Sequence, residues 1–218
     1  MKYELLIFDC DGTLVDSEAL LNKALAEILQ DLGYHEYTLD FCMEEFVGHS
    51  STDIEKYLLS RHPEMPIRDI EAKFLKLASH LVPLELKPMP GAVEMLAKVE
   101  HLPKALVSNG ENPIVKYSLE VTGLKKYFPD DVIFTYDMVG KPKPDPELFF
   151  CAAKRFNVKP EKCLVIEDSV AGMQGAKAAG MDTVAMVCYP NPSVLAETKN
   201  GKVISVINDL QLLEQVLK

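Results

Sequence analysis

The chain has 218 residues, enough for one large domain or a core domain with a smaller insert, and its 48% apolar and 26% charged content is ordinary for a globular protein. Thirty-three Asp and Glu against 23 Lys and Arg give a formal charge of −10 with no basic block to track a phosphate backbone, so nucleic acid is not an expected partner and an anionic substrate needs a local positive site. Five scattered cysteines without a CxxC pair exclude a disulfide framework and a zinc site, and no run of about 18 apolar residues is present, so the expectation is a soluble, cytoplasmic protein, off the membrane, monomeric or weakly self-associating.

The apolar run Leu5-Leu6-Ile7-Phe8 is too short for a core helix and suits a strand covered on both faces. Asp9 and Asp11 follow at its C-terminal end, and Gly12 permits a tight turn that keeps both carboxylates near one point. Cys10 lies between them, but the period of two along a strand end turns it away, so it is a packing residue.

From Asp16 the pattern becomes helical. Leu21, Leu25, Ile28 and Leu32 recur at helical spacing until Gly33. A second helix is expected from Asp40 through Phe46, a third after a cap at Ser51 or Thr52, and a fourth marked by Ile70, Phe74, Leu77 and Leu81. Four helices without a strand exceed one crossover, so residues 16–86 read as an inserted helical domain within a core of residues 1–15 and 87–218. Gly48–Thr52 reads as a polar loop in which His49 is either a surface residue or a group that touches substrate from the insert. Lys87-Pro88-Met89-Pro90-Gly91 is the return linker.

Strands and helices then alternate. Strands are expected at 104–107, 132–134, 163–166, 183–187 and 203–207, with Pro113 opening one helix and Asp145-Pro146 capping another that carries Leu148, Phe149, Ala152 and Phe156. The fold class is α/β, a Rossmann-like doubly wound parallel sheet with a helical insert. In such a sheet the polar residues that follow the strands share one edge: Asp9 and Asp11, Ser108 and Asn109, Lys141, and Glu167 with Asp168. Each alone has a structural explanation as a turn, a solvated charge or a helix cap; their order and placement together point to a site.

Asp9-Cys10-Asp11-Gly12-Thr13, Ser108, Lys141 within KPKPD, and Glu167-Asp168 within IEDSVAG together resemble the four motifs of the haloacid dehalogenase-like phosphohydrolases. The resemblance spans essentially the whole chain, and the insert is similar to the helical cap of one subclass. A signalling receiver domain uses similar residues in a different order. The resemblance implies a Mg²⁺ ion held by an Asp9 oxygen, the Asp11 main-chain carbonyl and Asp168, with Glu167 ligating directly or through water. It also implies that Asp9 is the nucleophile and Asp11 the acid and base. On the same resemblance Thr13 is expected to orient Asp11 or steady its loop, Ser108 and Asn109 to donate to phosphate oxygens, and Lys141 to neutralise charge. Lys143 has a rival claim, but it occupies the variable position of KPxPD, so Lys141 is preferred. Four ionised carboxylates against one lysine leave three negative charges, which repel a phosphate dianion unless a divalent cation binds and Asp11 holds a proton.

The implied activity is hydrolysis of a small phosphorylated metabolite. The core stretches following Ser108 are similar to bacterial sugar-phosphate phosphatases, the 6-phosphogluconate phosphatase group included. Asp11 separates the chain from haloacid dehalogenases, which lack it. A phosphomutase of the beta-phosphoglucomutase type shares all four motifs, and a non-catalytic binding protein on the same fold is the remaining alternative.

Overall fold

A computed structural model describes residues 2–49, 51–189 and 192–218. The chain divides into two compact units, residues 1–16 with 87–218, and residues 17–86. Among the described residues the first unit holds a six-stranded sheet, paired parallel throughout: β1 (Leu5–Phe8), β2 (Lys104–Ser108), β3 (Ile133–Thr135), β4 (Cys163–Glu167), β5 (Asp182–Met186) and β6 (Val203–Ile207), in the order β3-β2-β1-β4-β5-β6. The chain lays β2 and β3 on one side of β1, then crosses to build β4 to β6 on the other. The crevice where strand order reverses is therefore at the ends of β1 and β4, the position where open sheets of this kind bind ligands.

The second unit contains α1 (Ser17–Asp31), α2 (Leu39–Glu45), α3 (Ser51–Arg61) and α4 (Ile67–Glu85). Their apolar stripes meet in a core of Leu25, Leu29, Tyr37, Cys42, Phe46, Leu58 and Ile70, among others. Thr38 caps α2 by accepting from the Phe41 N–H at 3.2 Å, so this helix begins one residue earlier than the pattern of apolar residues suggests. Ser51 and Thr52 belong to α3 rather than to a loop, and α4 outruns the expected 70–81 at both ends. Ser50, part of the expected polar loop, lies outside the described residues.

In the first unit α5 (Ala92–Lys98), α6 (Asn112–Val121), α7 (Tyr136–Val139), α8 (Glu147–Phe156), α9 (Val170–Ala178), α10 (Pro192–Glu197) and α11 (Leu213–Leu217) complete the connections. The continuous apolar sequence of β1 follows from its place: it pairs on both edges, all four residues are buried, and alternate residues face opposite layers. Leu5 and Ile7 pack with Ala105, Val107, Cys163 and Val165 against Leu148, Phe149 and Ala152 of α8 and Ala176 of α9. On the other face Phe8 meets Phe128 edge to face at 6.1 Å. At the margin of the sheet, β6 leaves Ile204 and Val206 exposed. No helix among the described residues is long and apolar enough to cross a membrane.

Candidate active site

Register brings the first two acidic groups together. β1 pairs with β4 so that Phe8 faces Ile166, and the Asp9 N–H continues the ladder by donating to the Ile166 carbonyl at 3.0 Å. Glu167, the next residue of β4, therefore arrives beside Asp9, and both side chains are buried. After Asp9 the chain turns tightly, with the Leu14 N–H donating to the Cys10 carbonyl at 2.8 Å and the Gly12 N–H to the Val15 carbonyl at 2.9 Å. Gly12 is required there twice over. Its φ of +77° is in the left-handed region, and a Cβ on it would fall 2.1 Å from Asp168 Oδ2. Cys10 is fully buried, and burial first, then the nearby carboxylates, push its thiol well above the ordinary value, consistent with a packing residue.

The lysine of the site is Lys143. Its Nζ lies 2.5 Å from Asp9 Oδ1 and 2.7 Å from Glu167 Oε2, with the side chain only 2% exposed. Burial works against its charge, but Asp9 and Glu167 outweigh that and hold its pKa above that of an ordinary lysine. Lys141, the residue expected here from the sequence, is instead 57% exposed and has Asp145 at 3.9 Å as its nearest ion-pair partner. The reason is a repeated frame. KPKPDPE contains Lys-Pro-x-Pro-acid twice, as residues 141–145 and as 143–147, and the chain uses the second. Its acidic residue, Glu147, opens α8, and the Glu147 N–H is capped by Asp145 Oδ1 at 3.0 Å.

Asn109 has a partner not expected from the sequence. Its side chain faces the Lys143 main chain, accepting from the Lys143 N–H at 2.7 Å and donating to the Lys143 carbonyl at 3.2 Å. The Thr13 hydroxyl donates to Asp168 Oδ1 at 3.1 Å, a partner not expected from the sequence. Ser108 closes β2, is 2% exposed, and accepts the Gly110 N–H at 2.9 Å, which leaves its hydroxyl hydrogen to donate. A Cβ on Gly110 would lie 3.2 Å from Ser108 Oγ and 3.7 Å from Asp11 Oδ2, so Ser108 and Asp11 flank the same small space. Asp11 itself is exposed.

Glu167 is saturated. Oε1 accepts from the Asp168 N–H, the Ser169 N–H and the Ser169 hydroxyl at 3.2, 3.0 and 2.8 Å, while Oε2 takes Lys143. Ser169 doubles as N-cap of α9, accepting from the Gly172 N–H at 3.0 Å. The sequence shows Glu167-Asp168-Ser169 as a helix cap, and the structure adds the bond from the Ser169 hydroxyl to Glu167. His49 is exposed between α2 and α3, where it lines a cavity of the helical unit with Glu45, Asp53, Lys56 and Tyr57.

One oxygen each from Asp9, Glu167 and Asp168 falls within 4.8 Å of the others. Burial first, then the charge of Glu167, lifts the Asp9 carboxyl to about 8 against the pull of Lys143. A buried carboxylate so disfavoured as an anion fits a hard divalent cation, because oxygen donors carrying surplus negative charge suit Mg²⁺. With Glu167 committed to Lys143 and the α9 turn, Asp9 and Asp168 are the carboxylates suited to hold it.

The haloacid dehalogenase-like hydrolase family matches residues 6–186. A 6-phosphogluconate phosphatase of Escherichia coli K12 is 34% identical over 202 residues, covering 91% of this chain and 89% of its own. A phosphorylated carbohydrates phosphatase of Thermotoga maritima is 31% identical over 222 residues, covering 98% of this chain and 100% of its own. The crystal structure of a haloacid dehalogenase family hydrolase from Deinococcus radiodurans, with bound phosphate and sodium, superposes with a TM-score of 0.85 at 27% identity, covering 99% of this chain and 95% of that one.

Proposed function

Because the chain belongs to the haloacid dehalogenase-like hydrolases and is a phosphoric monoester hydrolase, we propose that it is a Mg²⁺-dependent phosphatase of small sugar phosphates acting through an aspartyl-phosphate on Asp9. The observation that carries this reading is the buried Asp9 carboxylate held at 2.5 Å by Lys143 beside Glu167 and Asp168, an arrangement of charge suited to a phosphoryl group and a cation together. Mg²⁺ supplies neutralisation of the phosphoryl oxygens when bound, and Asp9 and Asp168 would hold it.

Asp9 forms the new O–P bond in line with the ester oxygen, and the P–O ester bond breaks. Asp11, exposed beside Ser108, gives its proton to the leaving alkoxide. In the second half, water attacks phosphorus, Asp11 takes its proton, and the bond to Asp9 breaks to release inorganic phosphate. The Ser108 hydroxyl donates to a phosphoryl oxygen, and Lys143 balances charge as it builds on the transferring group. Thr13 holds Asp168, and residues 17–86 with His49 supply substrate choice. Five free cysteines support a reducing, cytoplasmic setting.

The test is phosphate release from 6-phosphogluconate, hexose phosphates, phosphoglycolate and nucleoside monophosphates, with Mg²⁺ and with chelator. Mg²⁺-dependent release from the sugar phosphates, abolished by Asp9→Asn, is the expected result. Conversion of a hexose 1-phosphate to its 6-phosphate without net release overturns hydrolysis in favour of a mutase. Wild-type rate in Asp9→Asn removes the aspartyl-phosphate.

A further inference from the structure

We propose that Asn109 is the positioning residue of Lys143: its side-chain amide grips the Lys143 main chain at both donor and acceptor and thereby fixes the ammonium group between Asp9 and Glu167. The consequence for rate rests on the phosphatase reading, whereas the positioning itself rests on geometry alone. The Lys143 N–H donates to Asn109 Oδ1 at 2.7 Å, and Asn109 Nδ2 donates to the Lys143 carbonyl at 3.2 Å. A carboxamide thus does for this residue what a neighbouring strand does in a ladder, meeting one N–H and one carbonyl together.

The loop needs such a partner. Between the end of α7 at Val139 and the start of α8 at Glu147 lie Pro142, Pro144 and Pro146, which have no N–H to donate. Lysine reaches its target through a flexible four-carbon stem, so contacts at 2.5 and 2.7 Å demand a fixed backbone as well as fixed acceptors. Asn109 is itself well founded. It follows Ser108, which pairs with Thr135 in the sheet, and the Gly110 N–H bond to Ser108 Oγ closes the turn beyond it. The ends of β2 and of the lysine loop are therefore one unit, with Ser108 and Lys143 held in a common frame. One Nδ2 hydrogen of Asn109 is left over for a further acceptor, so the kinetic arm of the experiment separates positioning from a substrate contact.

The experiment is acetylation of surface amines by N-hydroxysuccinimidyl acetate, read residue by residue by mass spectrometry, on wild type, Asn109→Ala and Asn109→Asp with Mg²⁺ and without substrate. Lys141, 57% exposed and two residues away, reports full reactivity, and Lys104, 8% exposed at the far end of β2, reports unfolding. In Asn109→Ala the Lys143-to-Lys141 labelling ratio should rise about tenfold while Lys104 stays protected, as local opening requires. Turnover should fall about 10- to 100-fold with little change in KM, the usual scale for a supporting residue. Asn109→Asp keeps the acceptor for the Lys143 N–H and loses the donor, so its labelling and turnover should lie between. An unchanged labelling ratio in Asn109→Ala overturns the proposal, as does a raised KM with turnover preserved, which would mark a substrate contact. If both variants expose Lys104 along with Lys143, Asn109 serves folding generally and the proposal falls. A wild type without phosphatase activity sinks the functional reading, yet the labelling ratio still decides the role of Asn109.

Discussion

Lys141 and Lys143 are two residues apart in one loop, yet one is 57% exposed in solvent and the other 2% exposed between two carboxylates. Removing a buried electrostatic partner at a reacting group typically costs about 100- to 1,000-fold in turnover, whereas a solvated loop charge costs little. Lys143→Ala should therefore lose about that much activity and Lys141→Ala less than about threefold in a steady-state assay; the reverse order would return the role to Lys141. Burial of Asp9 beside Glu167 sets the sign of a pH dependence. Its carboxyl is raised from 3.8 to about 8 in the metal-free fold, first by burial and then by Glu167. The folded state keeps a proton that the unfolded chain releases across that window, so the stability from this group is full below 3.8 and is lost as pH rises through about 8. In chelator, urea titrations should show wild type losing stability relative to Asp9→Asn as pH rises, by at most about 1.4 kcal/mol per unit. Saturating Mg²⁺, which needs the ionised carboxylate, should abolish that slope. A flat or rising metal-free difference would show that Asp9 is ionised throughout.

Among the elements, α9 shows how a helix can be shaped by a neighbouring side chain. Alanine in a helix is favoured over glycine by about 1 kcal/mol, so Gly172→Ala should stabilise α9 if propensity alone acted. A Cβ at residue 172, however, would lie 1.9 Å from the Glu167 carboxylate. We expect Gly172→Ala to lower the melting temperature and to cut activity by pushing Glu167 off Lys143. A rise in melting temperature with activity intact would show that Glu167 has room to yield. The α9 cap was legible as a Ser before an apolar run, but its second task was not, because Ser169 meets Glu167 only through the local turn after β4. The same limit applies to Thr13, whose partner Asp168 is distant in sequence and close only in space. Helix ends moved by a few residues, as at α2 and α4, because caps and tertiary packing rather than apolar spacing decide where a helix stops.

For the whole molecule, the helical unit leaves and returns through two hydrogen-bonded antiparallel chain segments. The Asp16 N–H donates to the Lys87 carbonyl and the Met89 N–H to the Leu14 carbonyl, each at 2.9 Å, and Val15 forms an antiparallel bridge with Pro88. A two-residue Asn-Gly turn suits such a pair of segments. Replacing 17–86 by that turn should leave a cooperatively melting sheet domain, followed by circular dichroism, that still releases phosphate slowly but no longer distinguishes sugar phosphates. An unfolded product, or one that keeps its substrate preference, would refute the division of labour. The sequence by itself determined the α/β class, the alternation of strand and helix, and the family, because buried parallel strands need apolar runs and ligand-facing strand ends need polar turns, both written locally. Only the tertiary structure decided which lysine reaches Asp9, what Asn109 and Thr13 hold, and why Glu167 faces a glycine. Two overlapping KPxP frames are locally equivalent, and they were separated by where the loop from β3 to α8 passes the ends of β2, β1 and β4.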